Sequence, residues 1–214
     1  MKEIILGFAL LFSYTVSISQ DNLTATIVLN DGEEKIGYLK KFKSTNKEIK
    51  FKEKGSTNEM KIRSEDIQSI TYYKLDEEKG ISFKYVEVSS AIKKRKKTKK
   101  MWCNVIYECE DFQILENFVS LKNKKKKLQI NYNSDYPSDF IVSNEKDATA
   151  TVISLGVSRI KARGFMISPK KRNRKMIETY FKDKPEIIEH LKDSKLNFEN
   201  IFSSLENYCL NHSF

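Results

Sequence analysis

Two short basic runs hold the densest reactive chemistry in this 214-residue chain. The first comprises Lys93, Lys94, Arg95, Lys96, Lys97, Lys99 and Lys100; the second comprises Lys122, Lys124, Lys125, Lys126 and Lys127. Cations at this density attract phosphate, sulfate or carboxylate groups, and salt screens the attraction over about 10 Å. Beside an anionic membrane each Lys or Arg contributes about 1 kcal/mol. Two solvated loop tips without a ligand are the alternative reading. Nucleic acid is not the expected partner, because no aromatic surface for stacking single strands is interleaved with the lysines.

The remaining reactive types are sparse. Cys103, Cys109 and Cys209 are an odd set, so one pair can form and one thiol remains, or all three stay reduced. Cys103 and Cys109 share parity, and in one unbroken strand they lie about 20 Å apart, too far to bond. Cys209 reaches either one only through the fold. The expectation adopted is three unpaired, mostly buried thiols. His190 and His212 have no neighbour at metal-ligand spacing. There is no Gly-rich phosphate loop, Gly-x-Ser-x-Gly or Cys-x-x-Cys. The carboxylate pairs Glu65-Asp66 and Glu110-Asp111 fall in turns, where solvation explains them. No catalytic, metal or cofactor-binding residue is therefore assigned.

The net charge of +10 is concentrated in the middle of the chain. Residues 20–90 hold 13 basic and 13 acidic side chains, residues 91–175 hold 21 and 8, and residues 176–214 hold 4 and 7. With three prolines and seven glycines the composition is neither fibrous nor linker-like. Thirteen Phe and ten Tyr give it the means to build a core.

The elements that must position these groups follow from the hydrophobic period. Residues 24–29, 34–42, 48–54, 60–62 and 67–73 read as five short strands, with turns at Asn30-Asp31-Gly32, Ser44-Thr45-Asn46, Gly55 to Asn58 and Ser64 to Asp66. Residues 74–80 are a polar link. Residues 81–89, 102–109, 112–119 and 128–132 are expected to form a meander, which places both lysine runs at one end of its sheet. Further strands are expected at 140–143 and 148–156. The last third is helical: Ser168 caps a helix opened by Pro169, Pro185 opens a second, and Asn197 caps a third. The third carries the stripe Ile201, Phe202, Leu205, Tyr208, Cys209.

The opening residues are an address rather than a fold element. Lys2, an uncharged run from Ile4 to Val16 and the small residues of Ser17-Ile18-Ser19 have the order of an export signal cut before Gln20. The apolar run is shorter than the roughly 20 residues a spanning helix needs.

Two resemblances attach to these patterns. Ile27-Val28-Leu29-Asn30-Asp31-Gly32, Gly37-Tyr38-Leu39 and Ile67-Gln68-Ser69-Ile70 resemble the hydrophobic pattern of SH3-like or Sm-like small barrels, which speaks to shape alone. The strand–turn–strand from Val28 to Leu39, together with Tyr180-Phe-Lys-Asp-Lys-Pro-Glu-Ile187, resembles an uncharacterised family of exported bacterial proteins. Lys184 stands where that family usually has Cys, so a thiol role there is absent. The resemblance implies an extracytoplasmic β-rich body with terminal helices and no activity.

The fold class expected is α+β, mainly β. Residues 20–75 form a small SH3/Sm-like curled sheet, and 81–214 an antiparallel sheet with short C-terminal helices. The function expected is a non-enzymatic, exported module of the periplasm or envelope. It contacts an anionic component (phospholipid, lipopolysaccharide or polysaccharide) or another protein through the lysine runs. The competing class is an extracytoplasmic hydrolase with a site assembled from scattered residues.

Overall fold

In the computed structural model, Thr24–Leu29 (β1) and Glu34–Tyr38 (β2) form a hairpin with Val28 opposite Glu34. Its turn follows from Asp31-Gly32. Gly32 sits at φ +87°, a left-handed value that favours glycine, and Asp31 Oδ1 accepts the Glu33 N–H at 3.0 Å. The residues described are 24–39, 41–73, 80–90, 98–109, 112–124, 127–131, 140–143, 149–154, 169–192 and 198–212. Residues 1–19, expected to be an export signal, the basic residues 93–97, 125 and 126, Glu110-Asp111, and the expected caps Ser168 and Asn197 lie outside them.

Among the described residues the chain is mainly β with three C-terminal helices. Lys41–Lys43 (β3), Glu48–Glu53 (β4), Met60–Arg63 (β5), a 3-10 turn at Ser64–Asp66 and Ile67–Tyr72 (β6) follow the first hairpin. The order β6-β1-β2-β4-β5 forms one end of a ten-stranded sheet. The clean alternation in β4 buries Ile49 and Phe51 and exposes Glu48, Lys50 and Lys52. At Gly37 the backbones of β2 and β4 approach so closely that a Cβ would overlap the Lys52 carbonyl oxygen and lie 2.6 Å from Phe51 Cζ. The single strand expected over 34–42 is instead two. The chain breaks between β2 and β3, and β3 joins a different sheet.

Ile81–Ser90 (β7) and Lys99–Glu108 (β8) pair along their length, and β7 opens by pairing with β6, Phe83 opposite Ile70. Gln113–Asn117 (β9), Ser120–Lys124 (β10), Lys127–Asn131 (β11), Phe140–Ser143 (β12) and Ala150–Ser154 (β13) complete the strands. The expected meander is corrected after β9. The 112–119 segment ends at Asn117, β10 leaves to pair with β3, and β11 folds back on β10. The reason is packing: Phe118 and Leu121 turn into the first core beside Phe42. The vacated place beside β9 is taken by β12.

The second half closes on itself. β7, β8, β9, β12 and β13 follow in order, and β13 pairs back onto β7, Ala150 opposite Val88. That pairing is parallel; every other strand pairing among the described residues is antiparallel. Period-2 alternation sorts the side chains of these strands. Leu115, Ile141 and Val152 join Cys103 and Val88 in one core, while Ile114, Val142 and Ile153 face the helices.

Pro169–Tyr180 (α1), Pro185–Lys192 (α2) and Phe198–His212 (α3) supply that helical layer. Met176 of α1 joins the Cys103 core, and Ile177 packs against the outer one. Ile201, Leu205, Tyr208 and Cys209 are buried and Phe202 is half-buried, so the stripe is core. The expectation of three unpaired thiols is overturned. Cys109, just past β8, and Cys209 on α3 form a disulfide with Cα atoms 6.0 Å apart. α3 docks with Tyr208 stacked on Phe112, and this brings the two sulfurs together. Cys103 is buried inside the sheet.

Candidate functional site

The lysines that matter are set by one turn and two strand pairs. The turn joining β3 to β4 is fixed from several sides. Asn46 Oδ1 accepts the Lys43 N–H at 2.9 Å, and its Nδ2 donates to the Glu48 carbonyl at 3.2 Å. The Trp102 N–H donates to the Ser44 carbonyl at 2.7 Å, and the Ser64 N–H to the Lys47 carbonyl at 2.8 Å. Ser64 Oγ donates to the Asn46 carbonyl at 2.9 Å and accepts the Trp102 indole N–H at 3.0 Å. Ser64 and Trp102 are fully buried, so these bonds operate without water and orient the turn.

This turn closes one end of an open groove of about 1120 Å³. One wall is β3 with β10, presenting Lys41, Lys43 and Lys122; the other is β4 with β5, presenting Lys50 and Lys61; Lys47 stands at the turn. Phe42 and Leu121 form the floor and are 3 % and 0 % exposed. A second depression adjoins the first through Lys47 and Glu48 and is lined by Arg63, Glu65, Tyr85, Lys99 and Lys100.

Four of these cations are neutralised. Lys100 Nζ lies 2.9 Å from Glu65, Arg63 2.8 Å from Asp66, Lys50 3.5 Å from Glu59, and Lys61 3.9 Å from Glu48. The hydrogen bond from Lys100, then its charge, holds the Glu65 carboxyl below its ordinary range, and the same bond raises Lys100. The hydrogen bond from Arg63 lowers Asp66 in the same way. Burial pushes the Tyr85 hydroxyl up, and the charge of Glu65 adds to it. Lys41, Lys43, Lys47, Lys99 and Lys122 have no carboxylate within 4 Å among the described residues.

Of the basic residues singled out in the sequence, Lys99 and Lys100 open β8 and Lys122 lies on β10, all exposed. They border the two adjoining depressions, so parts of both runs reach one side of the molecule. Lys122 arrives there through the β3–β10 pairing, and Lys99 and Lys100 through the β7–β8 pairing. Lys124 and Lys127 are register partners across the β10–β11 hairpin. Lys41, Lys43, Lys47, Lys50 and Lys61 escaped the sequence reading. For Lys41, Lys43, Lys50 and Lys61 the only signal was strand alternation on the polar face of β3, β4 and β5; Lys47 lies in the turn and had none.

His190 lies in α2 and His212 ends α3. Among the described residues no three His, Cys, Asp or Glu side chains are grouped to hold a metal ion, and no helix is long and apolar enough to cross a membrane. No protein-family model, curated protein or solved structure matches the chain.

Proposed function

We propose that this is an exported, non-enzymatic binding module of the cell envelope that contacts an anionic component through its lysine-rich side. One observation carries the reading: Lys41, Lys43, Lys47, Lys99 and Lys122 border two adjoining depressions without a carboxylate partner among the described residues. Cations gathered over concave, low-dielectric walls focus the field and raise the local concentration of anions.

Export is supported by residues 1–19 and by the Cys109–Cys209 disulfide, since such bonds persist in oxidising compartments. The two end patterns of the exported bacterial family fall on the β1–β2 hairpin and on the α1–α2 junction. Lys184 in that junction donates to the Tyr208 hydroxyl at 2.7 Å, beside Cys209.

The test is binding of the full chain to anionic phospholipid vesicles, lipopolysaccharide and an acidic polysaccharide at two salt concentrations, with neutral counterparts as controls. Salt-sensitive binding to at least one anionic member is expected. Equal binding to neutral surfaces, or binding indifferent to salt, removes the proposal.

A further inference from the structure

We infer that the groove between the β3–β10 and β4–β5 strand pairs holds a linear acidic polysaccharide, an inference that rests on the anion-binding reading above and names its ligand class. The carrying observation is a like-charge opposition without a carboxylate partner among the described residues, facing a second opposition that has such partners. Lys41 lies directly across from Lys122 in the β3–β10 register, and Lys50 directly across from Lys61 in the β4–β5 register. Directly opposed residues of an antiparallel pair hold their Cβ atoms about 5 Å apart, and like charges there destabilise the sheet. Both pairs line the same groove, one on each wall. Lys50 and Lys61 are met by Glu59 and Glu48 on their wall, so the opposition left for a polyanion to relieve is that of Lys41 and Lys122.

Shape and lining select the ligand. The groove, at about 1120 Å³, exceeds what one phosphate or sulfate fills. Lys41 and Lys43 repeat along β3 at about 7 Å, the spacing of same-face strand residues, so the charges form a row. A bilayer is a poor fit, since it meets flat or convex surfaces and is gripped by apolar side chains. The apolar lining here, Phe42 and Leu121, is buried. Single-stranded nucleic acid is also a poor fit, because it binds by stacking on exposed aromatic rings and Phe42 is the groove's aromatic residue. A hydroxyl-rich chain bearing repeated sulfates or carboxylates needs neither apolar grip nor stacking.

The experiment uses the full chain with heparin oligosaccharides of increasing length. Phosphatidylglycerol vesicles, oligothymidylate and neutral dextran are the comparison probes. Affinity is expected to rise with oligosaccharide length and fall with salt. Lys41→Gln with Lys122→Gln is expected to weaken heparin binding about tenfold, while Lys171→Gln with Lys175→Gln, both exposed on α1 and outside the two depressions, changes it less than about twofold. The single change Lys122→Gln is expected to raise the melting temperature of the free protein, because it removes the opposed charge. Equal losses in the two double variants would overturn the groove and leave the anion-binding reading standing. Vesicles or oligothymidylate binding as tightly as heparin would overturn the polysaccharide. No salt-sensitive binding to any anionic probe would remove both readings. A lower melting temperature for Lys122→Gln would overturn the claim that the opposed pair destabilises the free protein.

Discussion

Glu65 and Lys100 meet at 2.9 Å on the rim of the second depression, and both are exposed. The carboxyl is held below its ordinary range, so the pair stabilises the fold above the unfolded carboxylate value of about 4.3. That contribution is lost as pH falls through the lower folded value. The expected outcome is a small melting-temperature deficit for Glu65→Gln at neutral pH that shrinks to nothing as the buffer is acidified below the carboxylate range. A deficit that persists unchanged at low pH would show that the side chain acts through packing rather than charge. This pairing was not legible in the sequence, where Glu65-Asp66 reads as a solvated turn and Lys100 as the end of a basic run. The residues are 35 apart, and nothing local connects them. Lys50 and Lys52 could be placed on the polar face of β4 from alternation alone, because the period-2 pattern fixes direction. The alternation does not say what they face.

At the scale of elements, the strands and helices with strong local signals were legible: the Asp31-Gly32 hairpin, β4, and the helices opened by Pro169 and Pro185. Where the reading failed, a long-range partner decided. β10 leaves the sheet because Leu121 and Phe118 complete the aromatic cluster around Phe42, with ring centroids of Phe42 and Phe118 5.6 Å apart. The Cys109–Cys209 bond likewise depends on where α3 docks, which no spacing reveals. That bond closes a loop of 100 residues, and chain entropy assigns such a cross-link roughly 2–5 kcal/mol. Cys109→Ser with Cys209→Ser is therefore expected to lower stability by about that amount in urea unfolding. Non-reducing peptide mapping of the native protein should recover the two cysteines in one linked fragment. Unchanged stability in the double variant, or separate fragments, would contradict it.

At the scale of the whole molecule, one strand binds the two halves together. Ile81 to Phe83 of β7 pair with β6, and Val88 to Ser90 pair with β13, while β8 runs alongside both. The first core draws Phe83, Trp102, Phe118 and Leu121 from beyond the expected polar link at 74–80. Losing the first half would strip β7 of its β6 partner and open the core that Phe83 and Trp102 share with it. Calorimetry is expected to show one cooperative transition, with a calorimetric to van't Hoff enthalpy ratio of about 1. Two resolved transitions would mean that the halves unfold independently. The concentration of positive charge in residues 91–175 was legible from composition. The groove was not, because five of its six lysines come from the charge-balanced first third and meet Lys122 only after β3 and β10 pair.

The parallel β13–β7 pairing has a consequence for how the chain reaches this state. β7 finds β6 and β8 nearby in sequence, but Val88 must wait for Ala150, and so distant a closure comes late. Until then Val88 to Ser90 form an open strand edge, the kind that templates pairing between molecules. The sequence that follows is Lys93-Lys94-Arg95-Lys96-Lys97, a charge block placed where gatekeeper residues suppress such association. Replacing those five residues with serine is expected to leave the melting temperature of the folded protein unchanged while increasing light scattering during refolding. On that outcome, part of the protein's basic character serves the nascent chain before any ligand is met.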